Sequence, residues 1–327
     1  MEPISVAVLG TGSVGTRHLH AFKAVGARPV AVPLRAERRG ELKAAGFATS
    51  ESLAAAWESG ARSCVIATET GRHAEDALAA VACGYDVLIE KPLSSDAESA
   101  RAFLAAAKKG GRGVRVACVL RFYAALERFR ERLPEIGAAH SVRVECRSYL
   151  PDWRPQRPYK ESYSARAQDG GVLRDVIHEI DYAGWLFGWP KFVDARLGNT
   201  GRLGIASEEW AELLWESAAG SVTVGLDYLT RTPRRGARAV GEKGALDLDL
   251  LAQTVTFTPA GGTPKTETIS QPRDAAFEAQ ARAFLGACAG KPDDRLASLL
   301  DGWRAVAVCD AARASSAAGR RQEVATP

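Results

Sequence analysis

The chain has 327 residues, 46% of them hydrophobic, enough for two cores at the usual roughly 100–200 residues per domain. Its 43 basic and 39 acidic side chains are interleaved, so the formal charge of +4 does not point to nucleic acid, although it suits a small anionic ligand. No apolar run approaches the ~18 residues of a membrane-crossing helix, and the first strand pattern starts so soon after Met1 that no secretory leader is expected. The six cysteines (Cys64, Cys83, Cys118, Cys146, Cys288, Cys309) lack CxxC spacing and read as reduced, mostly buried residues of a cytoplasmic protein, not as a disulfide frame or metal site.

In chain order, the apolar run Ile4 to Leu9 enters Gly10-Thr11-Gly12-Ser13-Val14-Gly15 and then a helical stretch from Thr16 to Val25. A strand, glycine turn and helix in this order can bind a dinucleotide. Gly10 permits the tight turn, Gly12 lets a pyrophosphate approach the backbone, Gly15 lets helix and strand pack closely, and the helix start at Ser13 and Val14 faces the phosphates. A lone GxGxxG also serves packing, but here it heads a series of alternating strand and helix signals.

Strands are expected at Pro29 to Val32, Ser63 to Thr68, Asp86 to Ile89 and Val114 to Val119. Helices are expected from Ala74 to Cys83, closed by Gly84, and from a capping box at Ser95 and Glu98 to a stop at Gly110-Gly111. This alternation implies a parallel, doubly wound α/β sheet with ligands at the strand carboxyl ends.

Beyond Phe122 the pattern changes. Ser141 to Leu150, Ser221 to Tyr228 and Ala245 to Leu250 alternate as half-exposed strands, which implies an open, mainly antiparallel sheet in a C-terminal α+β domain. Helices at Val172 to Phe187, Ala275 to Ala289 and Ser298 to Ala314 are expected at its edges, Pro151 to Asp169 as a long loop, and Gly319 to Pro327 as a loose tail. The expected division is residues 1–121 for the nucleotide and 122–327 for substrate and oligomerisation.

The whole chain resembles the glucose-fructose oxidoreductase, inositol dehydrogenase and rhizopine-catabolism (Gfo/Idh/MocA) family. Its landmarks are Gly10 to Gly15, Ala67-Thr68-Glu69-Thr70-Gly71-Arg72-His73, Glu90-Lys91-Pro92, and Gly170-Gly171-Val172-Leu173-Arg174-Asp175-Val176-Ile177-His178-Glu179-Ile180-Asp181. The resemblance implies an N-terminal Rossmann domain, hydride transfer between NAD(P) and a sugar, cyclitol or nucleotide-linked sugar, and a homodimer or homotetramer. It also implies that Lys91 is catalytic or positioning, that His178 is the proton-transfer residue, and that Thr68, His73 and Glu90 lie near the cofactor.

The chemistry agrees. A lysine ending a buried strand at the ligand edge is a mobile cationic donor, and a histidine titrating near neutrality can take an alcohol proton as hydride leaves the same carbon. Asp175 either binds a substrate hydroxyl, orients His178, or is a helix-start carboxylate. The common family pattern has four steps and a glycine between this aspartate and histidine; here there are three and the glycine is absent. Pro92 offers a cis bond, His18 matches a family histidine that either packs or faces solvent, and Val119 replaces a frequent asparagine. The stretch Tyr159 to Ala165 and the His178 segment look like a subgroup associated with nucleotide-sugar pathways. Arg154, Arg157 and Lys160 either meet a sugar or phosphate there or form a solvated loop.

Cofactor choice is read after the second strand, where an NAD enzyme usually carries Asp or Glu about twenty residues past the glycines. Leu34 stands there, followed by Arg35, Arg38 and Arg39, which favours NADP, with NAD through Glu37 or backbone groups as the alternative. Rivals for the activity are a reductase of another carbonyl, imine or conjugated substrate, and a non-catalytic dinucleotide sensor or regulatory protein. No nucleic-acid or membrane partner is expected.

Overall fold

In a computed structural model of the chain, which describes residues 3–110 and 113–327, the glycine-rich start folds as β1 (Ser5–Leu9), a tight turn and α1 (Ser13–Ala24). Then come β2 (Arg28–Val32), α2 (Arg38–Ala44), β3 (Ala48–Thr49), α3 (Leu53–Glu58), β4 (Ser63–Ile66), α4 (His73–Ala82), β5 (Asp86–Glu90), α5 (Ala97–Gly110) and β6 (Val114–Ala117). The next stretch holds α6 (Ala124–Arg132), β7 (Ala139–Tyr149), α7 (Val172–Asp175), α8 (His178–Phe187), β8 (Phe192–Gly198), β9 (Trp210–Ser217) and β10 (Gly220–Asp227). It continues through β11 (Leu229–Gly241), β12 (Gly244–Asp249), β13 (Thr254–Pro259) and β14 (Lys265–Thr268). The chain ends with α9 (Ala275–Cys288), β15 (Ala297–Ser298), α10 (Leu299–Ala318) and β16 (Gln322–Glu323).

Two compact units result, each with one sheet. The first comprises the chain up to Ser94, Glu98–Phe122 and Pro272–Trp303. Its strand order is β15-β6-β5-β4-β1-β2-β3, parallel except for the two-residue β15. Val6, Ala7 and Val8 are fully buried between β2 and β4, as expected of a parallel strand covered on both faces. The strand order reverses at β1, so the carboxyl ends of β1 and β4 flank the crevice where doubly wound sheets take ligands.

The second unit comprises Ser95–Ala97, Tyr123–Gln271 and the chain from Arg304 onward. Its sheet runs β14-β13-β12-β11-β7-β10-β9-β8-β16, antiparallel except for the pair β7 and β10. Helix α8 packs on β7 and β10. The opposite face is polar, with Arg147 paired to Glu212 and Asp227 and Arg238 to Asp247, so pairing across strands already satisfies its charges.

Several expectations are revised. Helix α9 packs on α1 in the first unit, not beside the second sheet: Phe277 lies 5.2 Å from the His18 ring and Phe284 6.3 Å from Phe22. Helical periodicity shows that this face is apolar but not which neighbour covers it. Val172 to Phe187 is two helices, because Val176 leaves helical geometry (φ −104°, ψ 37°). The start of α5 is capped by Asp310, which accepts the Ala97 N–H at 2.7 Å, while the Ser95 hydroxyl turns to Asp96. Of the expected stop at Gly110-Gly111, Gly111 lies outside the described residues. The tail is not loose near its start: β16 pairs with β8 and Val324 is buried.

Candidate active site

The first unit holds a helix start with the features that suit an anion. A Cβ on Gly10, whose φ is +84°, would lie 2.5 Å from the Ala67 carbonyl oxygen, and one on Gly15 would lie 1.9 Å from the Gly10 oxygen. Both glycines are therefore dictated by packing. A Cβ on Gly12 would meet no protein atom within 4 Å. Gly12 caps α1 without a side-chain hydrogen bond, and the first turn carries no acidic residue. Ser13 and Val14 thus begin a helix whose N–H groups and dipole suit a phosphate, beside open space at Gly12, so the residues present fit a dinucleotide pyrophosphate.

Of the residues expected at the far end of a dinucleotide, Leu34 and Arg35 are exposed after β2, while Arg38 donates to the Thr11 carbonyl at 3.4 Å and pairs with Glu41. Arg39 is paired with Glu51.

At the ends of β4 and β5 the landmarks interlock. The Thr68 hydroxyl donates to Asp76 at 2.7 Å, and Arg72 binds the same carboxylate at 3.0 Å. His73 is buried, with Nδ1 2.8 Å from the Pro92 carbonyl and Nε2 3.1 Å from that of Thr68, so its ring braces the two turns. Burial holds its pKa below the usual histidine value despite those carbonyls and the nearby Glu90 and Asp76 carboxylates.

The Lys91–Pro92 peptide is cis. Just before it, buried Glu90 places Oε1 2.7 Å from His18 Nε2 and accepts the Lys91 N–H on Oε2 at 3.1 Å. Burial pushes the Glu90 carboxyl up, but the His18 hydrogen bond and charge, with Lys91 and His73, outweigh it and leave the pKa below its ordinary value. His18 neither faces solvent nor merely packs. The clue available in sequence was the carboxylate closing a buried strand, which requires a buried partner. Val119 is buried in a 3-10 turn, and buried Arg121 lies 3.5 Å from Asp301.

In the second unit the double glycine is a packing device. A Cβ on Gly170 would lie 2.0 Å from the Tyr163 carbonyl oxygen, and one on Gly171, at φ +90°, would strike the Glu208 carboxylate. Asp175 follows, buried, and accepts hydrogen bonds from the Tyr163 hydroxyl, from Ser164 Oγ at 2.6 Å and from the Tyr228 hydroxyl at 3.0 Å. These donors occupy both carboxylate oxygens and tie the Tyr159 to Ala165 stretch to the end of β10. Burial and the Asp175 charge push the Tyr228 hydroxyl pKa up, which keeps it a proton donor. Tyr228 was missed as a site residue, because an isolated tyrosine closing a strand gives no spacing signal.

His178 opens α8, mostly buried, three residues after Asp175. Next to it, fully buried Glu179 pairs with Arg235 at 2.7 Å, and Tyr182 donates to the Gly236 carbonyl. These contacts fix α8 against β11 and so fix the backbone that carries His178. Lys91 lies in the first unit and Asp175 and His178 in the second.

Residues 4–118 match the model of the oxidoreductase family with an NAD-binding Rossmann fold, and residues 132–247 match the GFO/IDH/MocA C-terminal domain. The chain belongs to this family. Among its relatives, inositol 2-dehydrogenase 3 of Saccharopolyspora erythraea is 28% identical, over 94% of this chain and 91% of that protein. Levoglucosan dehydrogenase, solved with NADH and levoglucosan, superimposes with a TM-score of 0.87 at 20% identity, over 99% of this chain and 100% of that one. UDP-N-acetylglucosamine 3-dehydrogenase of Acidithiobacillus ferrooxidans gives 0.81 at 21% identity, over 97% and 99%. At these identities the two structures speak for the fold, which is the Rossmann and open-sheet combination expected from the motifs.

Proposed function

We propose that this family member is an NAD(P)-dependent dehydrogenase or reductase that moves hydride between the nicotinamide and a hydroxyl or carbonyl carbon of a sugar, cyclitol or nucleotide-linked sugar. The observation that carries this reading is the uncapped start of α1 beside the open space at Gly12. The relatives, named as inositol and levoglucosan dehydrogenases, support the substrate class. When bound, the cofactor supplies the hydride chemistry.

The protein's part is proton handling and positioning. Lys91 would help hold the cofactor through its ribose and would donate to the substrate oxygen, stabilising charge as it develops. His178 takes the alcohol proton in oxidation and returns it in reduction. Asp175 supports them by holding Tyr163, Ser164 and Tyr228, and Glu90, His18, Thr68 and His73 shape the turns at the cofactor edge. We assign residues 1–121 to the nucleotide and 122–327 to substrate binding and to a homodimer or homotetramer, which light scattering tests. Six unpaired thiols fit a reducing cytoplasm, and among the described residues no helix is long and apolar enough to cross a membrane.

For the cofactor we favour NADP, since Leu34 offers a ribose no carboxylate and Arg35 and Arg38 offer a phosphate their guanidinium groups. Titrating NADPH and NADH into stripped protein, then adding a sugar panel, tests both points. Binding without turnover would favour a sensor, and an NADH preference untouched by Arg35→Ala and Arg38→Ala would defeat the NADP assignment.

A further inference from the structure

Helix α7 is a single turn of four residues. Its own closure is the Asp175 N–H on the Gly171 carbonyl at 3.0 Å and the Val176 N–H on that of Val172 at 3.1 Å. One turn fixes too few bonds to hold itself, so its orientation comes from what it is tied to. Yet it carries Asp175 and leads through Val176 and Ile177 into His178. Gly171, at its N-cap, has no side chain to accept the N–H groups of the first turn.

Glu208, just before β9, does this from a distance. Its backbone carbonyl accepts the Val172 N–H at 3.2 Å, and its Oε1 accepts the Leu173 N–H at 3.4 Å. Arg313, on α10, donates to that same Oε1 at 2.7 Å and to the Gly170 carbonyl at 3.3 Å. One turn earlier on α10, Cys309 Sγ donates to the Leu173 carbonyl at 3.7 Å. Glu208 and Arg313 therefore grip the chain on both sides of Gly171. The neighbours of Glu208 reach the other groups around Asp175. The Ser207 hydroxyl donates at 2.6 Å to the Ser164 carbonyl, which also accepts the Gly171 N–H, and the Glu209 carbonyl accepts the Tyr228 N–H at 2.9 Å. Ser164 and Tyr228 both donate to Asp175. Fully buried Glu209 is itself fixed by the N–H groups of Thr200 and Leu203, at 2.6 and 2.9 Å.

We propose that Glu208, clamped by Arg313, is a positioning residue for the transfer step: it orients α7 and so sets where Asp175 and His178 stand. It acts through the backbone of α7. Its work is geometric, since Oε1 receives both the Leu173 and the Arg313 donors, while Oε2 accepts no hydrogen bond among the described residues. A glutamine offers the same oxygen in the same place; an alanine offers none. This rests on the dehydrogenase reading above and adds a residue to its machinery.

The test compares Glu208→Gln, Glu208→Ala and Arg313→Met in the full chain, with active protein counted by bound NADPH or NADH. One readout is histidine ring NMR from about pH 5 to 9, with the His178 signal assigned by its loss in His178→Gln. The other is kcat and KM for oxidation of myo-inositol and D-glucose. Glu208→Ala should displace the His178 signal and its titration. It should also lower kcat by at least about tenfold per cofactor-loaded molecule, as an ångström-scale misplacement does. Glu208→Gln should restore both, Arg313→Met should fall between, and cofactor affinity should be the same in all three. A Glu208→Gln that moves the His178 titration as far as Glu208→Ala shows that charge alone acts, and overturns the proposal. So does a Glu208→Ala with a lower thermal midpoint but wild-type kcat and His178 signal, which is a purely structural role. Should Glu208→Ala fail to fold, Arg313→Met decides, and a wild-type kcat and His178 signal in it overturn the proposal. If the His178 signal moves as described but the wild-type protein oxidises or reduces no sugar, the dehydrogenase reading fails and the hold on His178 stands. If sugars turn over with one kcat in all variants, the positioning role fails and the dehydrogenase reading stands.

Discussion

His18 Nε2 lies 2.7 Å from Glu90 Oε1, joining the helix that follows the glycine turn to the strand end that leads into Lys91. Neither side chain is open to solvent, so each is the other's replacement for water. Removing one partner of such a pair typically costs about 3–5 kcal/mol. We therefore expect His18→Ala to lose about 3 kcal/mol in urea unfolding and to lower turnover through the displaced Lys91 turn, with part of both recovered by His18→Gln. A loss within about 0.5 kcal/mol, ordinary for a surface position, would show that the pair holds nothing.

Gly12→Val separates binding from folding. Because a Cβ there meets no protein atom within 4 Å, the thermal midpoint should move little, whereas the side chain fills the space assigned to the pyrophosphate and should weaken dinucleotide binding. Gly15→Val is the contrast, since its Cβ would lie 1.9 Å from the Gly10 oxygen and the fold itself should suffer. Unchanged NAD(P)H affinity in folded Gly12→Val would remove the glycine turn from the site.

Asp175 accepts hydrogen bonds from three hydroxyl donors, and we assign it a positioning role on that ground. Tyr228→Phe should cost about 1 kcal/mol, the worth of one buried hydrogen bond. Asp175→Asn should destabilise the protein and raise KM more than it lowers kcat, unlike His178→Ala. An Asp175→Asn variant of full stability with kcat as low as that of His178→Ala would place Asp175 against the substrate.

His73 makes acid stability measurable. Its folded pKa lies below the ordinary histidine value of 6.5, so its contribution is complete above that pH and is lost as pH falls through the folded pKa. In that window the unfolded chain binds a proton that the folded one does not. Urea unfolding at pH 7.5 and 5.5 should show lower stability at the acid value, and a smaller difference in His73→Gln. An identical pH dependence in the variant would mean that His73 does not titrate in this way.

Motifs with local causes were legible in the sequence: the glycines, the Lys91–Pro92 turn, and strands buried on both faces such as β1. What escaped was set by distant partners. The Glu90 carboxylate announces a need for a partner but not that His18 meets it, and the apolar face of α9 fits α1 as well as it would fit a sheet. Short elements such as β3 and β16 take their register from neighbours and leave too few residues for a period. The break between α7 and α8 coincides with the missing glycine, where three steps replace four between Asp175 and His178.

The most direct measurement follows the hydride itself. Protein incubated with C4-deuterated NADPH or NADH and a panel of oxo-sugars should place deuterium on a sugar carbon, detected by NMR. Lys91→Ala and His178→Ala should each slow that transfer by roughly 10²–10⁴-fold with cofactor still bound. Cofactor binding without deuterium transfer to any sugar, or transfer at full rate in His178→Ala across neutral pH, would contradict it.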